Sequence, residues 1–134
     1  MSQLTCGFIG LGLIGGSIAR ALKNSVPGIR IVAYDLNGQS LKLAREQHIA
    51  DVAADRIDHR FSCCDYIFLC APVQKNDANL AAVKEIMSPD CLLTDVGSVK
   101  AAIHAAVRDA GLEHCFIGGH PMAGSERTGF ANSK

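Results

Sequence analysis

Apolar positions along the chain follow two rhythms. Short continuous apolar runs read as buried strands, and stretches with apolar residues at helical spacing read as helices that pack on one face. Residues 4–9 form the first run. After a glycine-rich turn, Ser17-Ile18-Ala19-Arg20-Ala21-Leu22-Lys23 has helical spacing. Residues 29–35 are rich in β-branched side chains and predict a second strand, and residues 40–47 a helix with Leu41, Ala44 and Leu43 toward the sheet. Residues 50–62 are polar and mixed, a loop with a short strand around 52–54. Residues 64–73 are apolar almost throughout, as expected of a central strand buried on both faces and ended by Pro72. A helix is predicted over 77–87, with Leu80, Val83, Ile86 and Met87 inward and Pro89 beyond its end. Residues 91–100 run from strand through a turn into a helix that extends to Asp109, with Gly111 placed to cap it, and Phe116-Ile117 makes a last short strand. Strands that alternate with helices predict βαβ units, hence an α/β fold.

The turn between the first strand and helix sharpens that expectation. Gly10, Gly12 and Gly15 fit G-x-G-x-x-G at a strand-to-helix junction, the context a dinucleotide fingerprint requires. Gly10 allows the tight turn, Gly12 lets backbone approach a pyrophosphate, and Gly15 lets helix and strand pack closely. A helix beginning near Leu13 aims its free N–H groups and positive dipole end, at Leu13 and Ile14, toward that pyrophosphate. Asp35 follows Gly15 by twenty residues, at the end of the second strand. A carboxylate there accepts hydrogen bonds from the adenosine ribose and repels a 2′-phosphate, which favours NAD over NADP. The alternative is that Asp35 caps the next helix. Leu36 and Asn37 follow and would border the adenosine. The whole then reads as a Rossmann-type, doubly wound, mainly parallel sheet with helices on both faces, one NAD-binding domain over residues 1–134.

Composition narrows the partners. Thirteen basic and thirteen acidic residues give a formal net charge of zero, so nothing points to a nucleic acid. No apolar run approaches the roughly 18 residues of a membrane span, and the first residues lack the order of a signal peptide, so a cytoplasmic protein is expected. The six cysteines form no C-x-x-C and mostly border apolar strands, as buried reduced thiols do. His114, Cys115 and His120 match no zinc spacing, and no metal is expected.

Ligands of a doubly wound sheet bind beyond the carboxyl ends of the strands. Ala71, Pro72 and Val73 should therefore lie over the cofactor, although a strand merely ended by proline would look the same. Ser98 is either a helix N-cap or a residue beside the nicotinamide. His120, between Gly119 and Pro121, has its backbone restricted to extended conformations, which presents its ring in one direction. It is a general-base candidate, with a structural loop histidine as the alternative reading.

Taken together, Gly10-Leu11-Gly12-Leu13-Ile14-Gly15-Gly16-Ser17, Asp95-Val96-Gly97-Ser98-Val99-Lys100 and Gly118-Gly119-His120-Pro121-Met122-Ala123-Gly124-Ser125-Glu126 resemble the prephenate/arogenate dehydrogenase family along the whole chain. The resemblance implies oxidative decarboxylation of prephenate to 4-hydroxyphenylpyruvate in tyrosine biosynthesis, with NAD taking the hydride. It makes His120 the residue that accepts the proton of the substrate's ring hydroxyl. Ser98 then contacts that histidine and the nicotinamide, Ser125 lines the pocket, and Glu126 sits at its mouth; Lys100 matches the motif without an assigned role. Members of the family continue into a helical domain that forms a homodimer and supplies most of the substrate contacts. The expectation is thus a cofactor domain that turns over little or no substrate alone. Other readings are an arogenate dehydrogenase, another hydroxyacid dehydrogenase, or a non-catalytic dinucleotide-binding module.

Overall fold

The computed structural model describes residues 3–71, 73–96, 101–119 and 130–133. Six strands, β1 (Thr5–Ile9), β2 (Arg30–Tyr34), β3 (Val52–Ala54), β4 (Tyr66–Leu69), β5 (Leu92–Asp95) and β6 (Phe116–Gly118), form one parallel sheet in the order β3-β2-β1-β4-β5-β6. Among the described residues four α-helices connect or flank them: α1 (Leu13–Ser25), α2 (Gly38–Glu46), α3 (Val73–Ile86) and α4 (Ala101–Asp109). This is the doubly wound α/β arrangement expected, with strand order reversing between β1 and β4.

Side chains that alternate along the strands build two cores. Ile9, Val32, Ile67, Leu69 and Leu93 join Leu80 and Val83 of α3 and Ile103 and Val107 of α4 on one face. Phe8, Ile31 and Ala33 join Ala19 of α1 and Leu41 and Ala44 of α2 on the other. Two carboxylates complete strand starts from outside the ladder: Asp65 accepts the Thr5 N–H at 2.9 Å, and Asp51 accepts the Ile31 N–H at 2.8 Å. Gly111 (φ 73°) ends α4 as expected. Its N–H bonds the Arg108 carbonyl while the Leu112 N–H reaches the Val107 carbonyl, the paired pattern of a glycine-terminated helix.

Two elements differ from the expectation. The apolar run 64–73 yields only four paired residues, Tyr66–Leu69, laddered to Cys6–Ile9 on one side and Leu92–Asp95 on the other, and Tyr66 at its start is exposed. Helix α3 begins at Val73 rather than at residue 77. No described helix is long and apolar enough to cross a membrane.

Candidate nucleotide site

The carboxyl ends of β1 and β4 meet where the strand order reverses, and the glycine turn sits on that junction. Gly10 has φ 103°, and a Cβ there would lie 2.7 Å from the Ala71 nitrogen, so both conformation and space demand glycine. A Cβ on Gly15 would stand 2.6 Å from the Gly10 carbonyl oxygen and 3.0 Å from the Cys70 Cβ, so α1 packs on the sheet through bare backbone. Gly12 differs. Among the described residues nothing lies within 4 Å of its Cβ position, which leaves an open face at the helix start. Gly12 is also the N-cap of α1 and makes no side-chain capping bond, and no acidic residue occupies the first turn. The N–H groups around Leu13 and Ile14 thus head a helix whose positive end has no acidic side chain of its own, the arrangement that suits a phosphate.

Asp35, just past β2, faces this turn. Its Oδ2 accepts the Leu11 N–H at 2.7 Å and its Oδ1 the Asn37 N–H at 2.8 Å. The cap of α2 belongs to Asn37, whose carboxamide oxygen accepts from the Gln39 and Ser40 N–H groups. That removes the helix-capping alternative for Asp35 and ties its carboxylate to the glycine turn instead. Each carboxylate oxygen retains capacity for a further donor, which fits a ribose hydroxyl. Leu36 beside it is 70% exposed, an apolar side chain open to a flat ring. The structure thus brings Gly10, Gly12, Leu13, Ile14, Gly15, Asp35, Leu36, Asn37 and Ala71 to one edge of the sheet, with Val73 opening α3 there. Pro72, Ser98, Lys100, His120, Ser125 and Glu126 lie outside the described residues.

Residues not singled out from sequence also converge here. Asp95, last in β5 and 1% exposed, accepts the Gly119 N–H at 3.2 Å. Its signal was a lone acid inside an apolar run. Phe130 is buried against α1, with the Arg20 guanidinium carbon 4.4 Å from its ring centroid. Gly16 explains itself only in this context, since a Cβ there would come within 2.7 Å of Phe130. Cys70, a partly exposed residue whose sulfur is tucked against α1, has its thiol pushed up to about 12 by burial and the nearby Asp95 charge. His59 and His104 are exposed, and His104 meets Phe116 edge-on.

Comparison with known proteins adds the following. The family model described as "Prephenate dehydrogenase, nucleotide-binding domain" matches residues 18–134. The chain is 34% identical over 121 residues to the cyclohexadienyl dehydrogenase of Zymomonas mobilis, covering 90% of this chain and 41% of that protein. It is 35% identical over 130 residues to the prephenate dehydrogenase of Bacillus subtilis, covering 93% of this chain and 34% of that one. A crystal structure of prephenate dehydrogenase from A. aeolicus, in complex with hydroxyphenyl propionate and NAD+, superposes with a TM-score of 0.90 at 32% identity, over 100% of this chain and 47% of that chain. The chain spans less than half the length of each of these relatives.

Proposed function

The chain belongs to the prephenate dehydrogenase nucleotide-binding family, and from that membership we propose that it binds NAD as the cofactor half of an enzyme that oxidatively decarboxylates prephenate to 4-hydroxyphenylpyruvate. The observation that carries the reading is the open N-terminus of α1 at Gly12, with the Asp35 carboxylate held against the same turn by the Leu11 N–H. The backbone around Gly12–Gly15 holds the pyrophosphate, and Gly10 keeps the turn tight enough to do so. Asp35 accepts from the ribose hydroxyls and disfavours a 2′-phosphate by charge repulsion. Bound NAD supplies the hydride acceptor.

The remaining work falls to the chain's polar residues. Loss of hydride from a carbinol carbon requires loss of the O–H proton, and the His120 imidazole takes it; loss of carbon dioxide then leaves an aromatic ring, whose oxygen regains a proton. Ser98 steadies that imidazole beside the nicotinamide, Ser125 lines the pocket and Glu126 stands at its mouth. Prephenate carries two carboxylates, and near His120 the sequence offers only Arg127 as a cation, so the remaining partners come from outside residues 1–134. We therefore expect little or no turnover by this chain alone and a homodimer for the complete enzyme. Arogenate in place of prephenate is the second reading, favoured by the cyclohexadienyl dehydrogenase relative, whose name specifies the ring and not the side chain.

Calorimetric titration of the chain with NAD and NADP tests the cofactor half. NAD should bind more tightly by roughly tenfold or more, about 1.4 kcal/mol, and Asp35→Ala should abolish that preference. Equal affinity for the two cofactors in the wild-type chain would overturn the assignment of Asp35.

A further inference from the structure

We propose that Arg20 and Phe130 are positioning residues for the nucleotide: the short helical turn Phe130–Asn132, locked onto α1 by Arg20, braces the first turn of that helix and keeps its N–H groups aimed at the pyrophosphate. This rests on the NAD reading given above and adds a supporting layer to the phosphate site, since neither residue belongs to the glycine fingerprint.

The contact runs along one face of α1. Gly12, Gly16 and Arg20 follow one another at the spacing of neighbours on a helix face. Gly16 closes the first turn, its N–H donating to the Gly12 carbonyl at 2.9 Å. A Cβ on Gly16 would stand 2.7 Å from both Phe130 Cδ1 and Ser133 Oγ, so the turn rests on bare helix backbone at that residue. One helical turn further, the Arg20 guanidinium carbon lies 4.4 Å from the centroid of the buried Phe130 ring. Arg20 Nε donates to Ser133 Oγ at 2.7 Å, and Ser133 Oγ donates to the Phe130 carbonyl. Arg20 thus grips both the ring and the hydroxyl that ties the turn together.

Where this packing stops matters as much as where it falls. At Gly12 the same helix face is open, with no described atom within 4 Å of the Cβ position. Phe130 therefore supports α1 one turn below the phosphate face without filling it. Toward α2 an open groove of about 350 Å³ remains, with Asn37, Ser40 and Leu43 on one side and Phe130 and Ala131 on the other. The brace thus bears on α1, which serves the pyrophosphate, more than on residues 35–37, which serve the adenosine. Hydrogen bonds weaken steeply as their angle closes, so a tilted first turn costs the charged phosphates most.

The test titrates the 134-residue chain with NAD+ by calorimetry and with adenosine, which has no phosphate, by NMR. Arg20 is only half-buried, so Arg20→Ala leaves the core intact. It should weaken NAD+ about fivefold or more, through lost or bent hydrogen bonds to the pyrophosphate, and leave adenosine within about twofold of wild type. Arg20→Lys, which keeps a cation over the ring and a donor for Ser133, should restore NAD+ to within about twofold. Phe130→Leu keeps the buried apolar volume but gives up the ring face; it should weaken NAD+ in the same direction, and adding it to Arg20→Ala should change little, because both act on one contact. Wild-type NAD+ affinity in Arg20→Ala would overturn the brace. So would an equal loss for NAD+ and adenosine, which marks a general loosening of the fold. A wild-type chain that binds NAD+ no more tightly than adenosine would instead refute the pyrophosphate reading from which the brace follows.

Discussion

Gly12→Ala separates folding from binding at the phosphate turn. The new methyl group meets no described atom within 4 Å. Two small effects on the free chain oppose one another. Alanine restricts the unfolded chain, worth about 0.4–1 kcal/mol in favour of folding. It is also a poorer N-cap than glycine, which returns a comparable amount. Stability should stay within about 1 kcal/mol of wild type, a few degrees in Tm for a domain of this size. Binding should respond quite differently. The methyl group occupies the face through which pyrophosphate oxygens reach the helix N–H groups, and hydrogen bonds to charged groups are worth about 1.5–3 kcal/mol each. Losing even one weakens NAD at least about tenfold. Gly10→Ala is the control. Its φ of 103° and a Cβ 2.7 Å from the Ala71 nitrogen should destabilise the free chain by about 2 kcal/mol or more, through backbone strain and overpacking. Thermal unfolding and calorimetric titration of both variants check the pair. Gly12→Ala binding NAD as tightly as wild type would refute the placement of the pyrophosphate.

Two further expectations concern titrating groups. Burial raises the Asp51 carboxyl, but hydrogen bonds from Lys23 and the Ile31 N–H outweigh it and leave the group below its ordinary value of 3.8. A depressed carboxyl stabilises the fold above its unfolded value and loses that contribution as pH falls through the folded one. The stability gap between wild type and Asp51→Ala, about 1 kcal/mol at pH 7 given the pair's exposure and read by thermal unfolding, should therefore shrink below about pH 4 and not on the alkaline side. A gap constant down to pH 2 would contradict this. For the thiols, burial pushes Cys6 up to about 11 and Cys70 and Cys91 up to about 12, and it raises Cys64 and Cys115 as well. Cys63 is exposed. A disulfide reagent at pH 8 should label Cys63 rapidly and the other five only after unfolding; a second fast thiol would show that the sheet opens more readily than its packing implies.

Period and spacing along the chain were sufficient for much of this protein. The alternation of apolar strands with helically spaced runs identified a parallel α/β sheet, and the spacing of Gly10, Gly12, Gly15 and Asp35 identified residues that meet at the turn after β1, because each of these signals is local to its own element. Hydrophobicity along 64–73 overstated β4, since it reports burial and not which residues find ladder partners on β1 and β5. Other features are contacts between residues far apart in sequence, and strand order alone decides them. With β1 placed beside β2 and β4, Asp35 turns to the Leu11 N–H while Asn37 caps α2. With β5 beside β6, the lone acid Asp95 meets Gly119. The packing of residues 130–133 on α1 makes Gly16, which lies outside the G-x-G-x-x-G spacing, the seat of Phe130 under Arg20. A one-dimensional pattern records which face a residue buries; which partner it buries against exists only once the sheet has closed.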